Sequence, residues 1–194
     1  MAAKPTQIII LCEDQSQEFF IRHFFQTYLS LPRKCAHYFN PIISPPGQGA
    51  GEQFVRQTFV NEVKAYRKRK NSIKIALVLM IDADTHEATQ RRQQMEAALQ
   101  EEGLPPLSPE EAVLIFIPKR NIETWARFLF SSPSTPPPDE DRDYKKQVPP
   151  IGDWKKPLQD LGTHCREHSP LPDSAPPSLR AACPELDRLA SLKD

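Results

Sequence analysis

Residues 73–84 read IKIALVLMIDAD, a run of nine residues with a single charged side chain that ends directly in two aspartates. Continuous apolar character of this kind predicts a strand covered on both faces, as in a parallel sheet, rather than the alternation of a half-exposed one. Three other stretches extend the pattern. Gln7 to Cys12 (QIIILC) is a short β-branched run that passes into Glu13 and Asp14. Val113 to Ile117 (VLIFI) is closed by Pro118 and followed by Lys119 and Arg120, and a further strand is expected over His37 to Ile43. Between them apolar residues recur at helical spacing. Phe19, Phe20, Ile21, Phe24, Phe25, Tyr28 and Leu29 mark one helix from Gln17, and Phe54, Val55, Phe59, Val60, Val63 and Tyr66 mark a second, ending in Arg67-Lys68-Arg69-Lys70. A third spans Glu87 to Glu102 and stops at Gly103, and Asn121 to Phe130 reads as a fourth. Strands alternating with helices predict an α/β fold, with right-handed crossovers and a mainly parallel four-stranded sheet flanked by helices.

The chain has 194 residues, with 25 basic and 25 acidic side chains and 21 prolines against 6 glycines. Sixteen of those prolines lie at or after Pro105, so the back half is punctuated by turns. Residues 1–130 are expected to form the α/β domain. Residues 131–152, beginning SSPSTPPPDED, have almost no large apolar side chains and read as a Pro-rich linker or mobile insert. Residues 153–194 read as a C-terminal helical appendage packing on the domain, with one helix around Trp154, Leu158 and Leu161, and another over Leu179 to Leu192 with Ser178 as its N-cap. Zero net charge argues against a surface that binds nucleic acid by bulk electrostatics, while leaving room for a local basic site. No run approaches the roughly 20 apolar residues that span a bilayer. The start, MAAKPTQIIILCEDQ, lacks a signal-peptide pattern, so the expectation is a soluble cytoplasmic protein with no membrane partner. Cys12, Cys35, Cys165 and Cys183 have no zinc-type spacing and need not pair.

Ligands of open parallel sheets bind beyond the carboxyl ends of the strands, which makes the residues just after each strand informative. Glu13, Asp14 and, one helical turn on, Glu18 follow the first strand; Asp82 and Asp84 follow the third; Lys119, Arg120 and Glu123 follow the fourth. Glu13, Asp82 and Asp84 converge if those strands are neighbours. Such a cluster calls for a neutralising cation, and its hard oxygen donors suit magnesium or manganese. Each acid cluster taken alone also fits ordinary helix capping.

These segments resemble the Toprim family. IIILCEDQSQEFFIRHFF resembles its first motif, LVLMIDADTHE its DxD motif, and IPKRNIETWARFLF the segment after the fourth strand in small stand-alone Toprim-like proteins, including the RloB and OLD types, of bacterial defence loci. The resemblance covers about Gln7 to Phe130. It implies a Toprim-like (Rossmann-like) fold and a metal-dependent nuclease, hydrolysing phosphodiesters of nucleic acid with one or two Mg2+ or Mn2+ ions, acting in antiviral defence. Glu13 then matches the family's glutamate, a metal ligand or general acid/base, while Asp82, Asp84 and Glu18 match its metal-binding acids. Asp14 stands where many members have glycine, and left-handed backbone angles are one way an aspartate accommodates that turn.

Lys119 and Arg120 are candidates for stabilising charge on a phosphoryl group, with Glu123 orienting them. His86 is a candidate ligand or acid. Lys64, Arg67, Lys68, Arg69 and Lys70 are candidate contacts to a nucleic-acid backbone, or a solvated helix end. SPPGQGAGE lacks the Lys-Ser/Thr of a phosphate loop. The alternative to an enzyme is a non-catalytic Toprim module that binds nucleic acid or an ATPase partner. A magnesium-nucleotide phosphotransferase is a third reading. A homo-oligomer or a protein partner is expected to supply part of the binding surface.

Overall fold

The computed structural model describes residues 5–32, 34–47, 51–132 and 135–192. Its centre is a four-stranded, all-parallel sheet of order β2-β1-β3-β4, with β1 Gln7–Cys12, β2 Phe39–Ile43, β3 Ile75–Met80 and β4 Val113–Phe116. The register sets Leu11 beside Leu79 and Met80 beside Phe116, so the strands end at nearly the same level. Every residue of β3 and β4 is buried. Both faces are therefore covered, and the continuous apolar runs are the consequence.

The cover comes in two helical layers. Helix α1 (Gln15–Tyr28) packs with α5 (Lys155–Arg166), and α2 (Gly51–Arg69) packs with α3 (Ala88–Glu101). Asp14 caps α1 by accepting from the Gln17 N–H at 2.9 Å, so the helix starts two residues before the apolar periodicity does. Gly162 permits the close approach of α5, since a Cβ there would lie 2.7 Å from the Phe24 carbonyl oxygen. Helix α4 (Ile122–Leu129) inserts Trp125, whose indole N–H donates to Ser178 Oγ at 2.7 Å. Ser178 is thus an anchor rather than the expected N-cap. Helix α6 (Pro177–Ala182) begins on Pro177 itself, because the first helical position tolerates proline. A 3-10 segment, Cys183–Ser191, then runs along β4.

One hydrophobic cluster joins the sheet to Trp154, Leu158, Leu161, Cys165, Leu179, Leu186 and Leu189 of the C-terminal helices. The Pro-rich stretch also makes specific contacts among its described residues. Tyr144 is buried, Asn121 Nδ2 donates to Asp143 Oδ1 at 3.0 Å, and Glu140 accepts from Ser178. At the outer edge of β4, the Ile115 N–H donates to Glu185 and its carbonyl accepts from Arg92, while Glu185 and Arg92 pair with each other at 2.9 Å. Two side chains thereby occupy backbone positions that another strand would fill. At the opposite edge, Pro41 sits within β2, where a missing N–H is tolerated. Among the described residues no helix is long and apolar enough to cross a membrane.

Candidate functional site

The neighbouring β1 and β3 bring Glu13 and Asp82 together at the carboxyl edge of the sheet. The Asp82 N–H donates to Glu13 Oε1 at 2.7 Å. Gln17, fully buried on the first turn of α1, ties the pair from the other side. Its Oε1 accepts from the Glu13 N–H at 3.0 Å, and its Nε2 donates to Asp82 Oδ1 at 2.9 Å. Gln17 lies four positions after Glu13, about one helical turn, so the carboxamide points back over the strand end. Gly51, at the amino end of α2, completes the wall. A Cβ there would lie 3.0 Å from Glu13 Cβ, so only glycine lets this helix end approach the carboxylate so closely.

Burial raises the Glu13 carboxyl to about 6, with further upward pressure from Asp84 and Asp14 and partial relief from its hydrogen bonds. Asp82 is pushed well above the ordinary aspartate range, first by burial and then by the charges of Glu13, Asp14, Glu123 and Asp84. Burial raises Glu123 as well. Its Oε2 is buried with no hydrogen-bond partner. Among the described residues, none of these three carboxylates makes an ion pair. The Arg91 guanidinium donates instead to the Asp82 carbonyl at 3.1 Å and to Glu52 at 2.6 Å, and it reaches Asp84 at 3.5 Å.

The remaining expected residues divide into those brought near this centre and those turned from it. Asp14 lies beside it as the cap of α1, with an extended backbone at φ −149°, so no left-handed turn is needed there. The left-handed residue is Asp84, at φ 55°, which holds an exposed carboxylate at the rim. His86 is exposed in the turn that follows. Lys119 pairs with Glu87 and, at 3.4 Å, with Asp141; Arg120 is half-buried beside it in sequence. Glu18 faces around the helix from Gln17 and pairs with Arg22, which stacks over Phe39. The basic run occupies the opposite, amino edge of the sheet, about 20 Å away by the rise of a six-residue strand. There Arg67 and Lys70 hold Glu111 at 2.8 and 3.0 Å, Lys64 holds Glu102 at 2.9 Å, and Arg69 donates to Gln7. Lys68 is exposed. Gln48 to Ala50 of the glycine cluster lie outside the described residues. Gln17, Arg91 and Glu52 are the site residues the sequence reading missed, and the helical phase from Glu13 is the signal that points to Gln17.

The donors are of the kind a hard divalent cation takes: crowded carboxylate oxygens whose ionisation burial opposes, including one buried oxygen without a partner. Their positions are not closed around an ion. Among the described residues no group of three or more His, Cys, Asp or Glu side chains is arranged to hold one. Glu13 and Asp82 each turn an oxygen toward a protein N–H. The chain matches no protein-family model, and neither a curated protein nor a solved structure matches it.

Proposed function

We propose that the chain is a divalent-cation-dependent phosphodiester-processing enzyme, a nuclease of Toprim type, taking magnesium or manganese at Glu13, Asp82 and Asp84 with Glu123 as an additional oxygen donor. The observation that carries this reading is the set of buried, mutually repelling carboxylates Glu13, Asp82 and Glu123 at the carboxyl edge, raised by burial and without an ion pair among the described residues. A structural role gives no reason to retain such an arrangement, because buried charge is costly unless paired. The proposed substrate, nucleic acid, and the setting in antiviral defence rest on the resemblance of the three motifs.

Glu13, Asp82 and Asp84 would hold the ion, which when bound would neutralise the acids and supply a water of lowered pKa. The chain's own residues prepare that chemistry. Gln17 fixes Asp82 against the start of α1, and Arg91 holds the Asp82 carbonyl, so the acid-bearing loop is braced by two side chains. Glu13, raised to about 6, is suited to accept or return a proton near neutral pH. Lys119 and Arg120 stand at the rim, where Lys119 exchanges its exposed partners Glu87 and Asp141 for phosphate oxygens.

Calorimetric titration with manganese chloride, paired with cleavage of labelled DNA and RNA, tests the proposal. Manganese binding that Asp82→Asn abolishes, together with cleavage lost in Asp82→Asn and Glu13→Gln, is the expected result. Cleavage equal in all three proteins overturns the mechanism. Metal binding without cleavage leaves the non-catalytic module as the surviving reading.

A further inference from the structure

We infer that Cys165 and Cys183 form a thiol-disulfide exchange site, a modification site that closes an intramolecular disulfide and fastens the C-terminal segment to α5. The two Sγ atoms lie 3.0 Å apart although the residues are 18 positions apart in the chain, so about 1 Å of movement reaches bonding distance. The pair joins structurally distinct elements. Cys165 lies on the face of α5 that packs toward α1, and Cys183 opens the 3-10 segment whose Glu185 covers the edge of β4.

A cavity of about 310 Å³ is lined by both cysteines together with His168, Pro170, Arg180 and Pro184. Behind them lie Phe24, Trp125 and Leu161, an apolar wall. Cys183 is partly exposed and Cys165 buried, which assigns the first attack to Cys183. Its thiol is also the one held below the ordinary range, by the hydrogen bond with Cys165, whereas that same bond and then burial push Cys165 up. Cys12 and Cys35 are buried.

The exchange balances with a small-molecule disulfide as oxidant. The Cys183 thiolate attacks one sulfur of that disulfide, breaking its S–S bond and releasing one thiolate. The Cys165 thiolate then attacks the Cys183 sulfur and expels the second. Two protein thiols thus become one disulfide, and their electrons and protons end on two small thiols.

Oxidised glutathione added to the full chain provides the test. The expected product has lost two hydrogens, carries no lasting adduct, yields a Cys165–Cys183 cross-linked peptide by mass spectrometry, and melts about 5 °C higher. A reducing dithiol reverses each change. Cys165→Ser is expected to stop at a stable glutathionyl adduct on Cys183, and Cys183→Ser to resist modification at Cys165. In the wild-type chain, a persistent adduct, no reaction with excess reagent, or a cross-link to Cys12 or Cys35 overturns the inference.

Discussion

The two edges of the sheet each bury acids and treat them in opposite ways. At the amino edge, burial works to raise Glu111, but hydrogen bonds from Arg67, Lys70 and the Ser108 N–H hold it down at about 2. At the carboxyl edge Glu13 sits at about 6 and Asp82 higher than its ordinary range, each surrounded by other acids. The contrast separates an acid that holds the fold together from acids that the fold holds against their own repulsion. Perturbed ionisation alone does not mark a site; its sign and the identity of the neighbours do.

The largest expected effect falls on the carboxyl edge, and on metal binding and activity rather than stability. Asp82→Asn should reduce metal-dependent cleavage by at least about 100-fold with no loss in melting temperature, because removing a repelling charge does not weaken the fold. At the amino edge the pattern should invert. Glu111→Gln leaves Arg67 and Lys70 without their carboxylate, and with Lys70 partly exposed the cost is about 2 kcal/mol, a fall of roughly 4–8 °C. Cleavage should be unchanged at temperatures where the variant is folded; loss of activity there would erase the distinction between the edges.

Gln17→Ala removes two buried hydrogen bonds and should cost about 1–2 kcal/mol by chemical denaturation, while weakening manganese binding by about 10-fold. Gln17→Glu is the sharper probe, since it adds an acid to the cluster. It should lower stability without metal and raise it with metal, and a metal-independent loss would place Gln17 in a purely structural role.

The last contrast is in pH dependence. Glu13 is raised in the folded state from 4.5 to about 6, so its contribution is present below pH 4.5 and disappears as pH rises through 6, a loss of about 2 kcal/mol, with Asp82 acting in the same direction. Glu111, lowered to about 2, stays ionised across that window, and its contribution is lost only in more acidic solution. Manganese should therefore raise the melting temperature more at pH 7.5 than at pH 5. Equal shifts at both pH values would remove the acids from the binding event.

β1, β3 and β4 were legible because burial on both faces leaves an uninterrupted apolar run; β1 has the expected bounds, β3 and β4 differ by one or two residues at their ends, and the half-exposed edge strand β2 starts at Phe39 rather than His37, after a 3-10 turn over Ala36–Tyr38. The meeting of Glu13 with Asp82 was legible once β1 and β3 were taken as neighbours. What escaped depends on side-chain direction and distant pairing. A search for acids favours Glu18, yet the turn of α1 sends Gln17 inward and Glu18 to Arg22. Four cations at the end of α2 look available in sequence, but the partner of Arg67 and Lys70 lies more than forty residues further on. Cys165 and Cys183 meet only because α5 and the last segment share the same apolar interior.

The clasp of Glu185 and Arg92 over Ile115 also bears on biosynthesis. Because Glu185 lies 70 residues beyond Ile115, the nascent sheet passes through a stage of translation in which β4 is already made and still able to recruit a foreign strand. A chain halted before Cys183 would keep that open rim permanently, and its failure would take the form of sticking to its own copies.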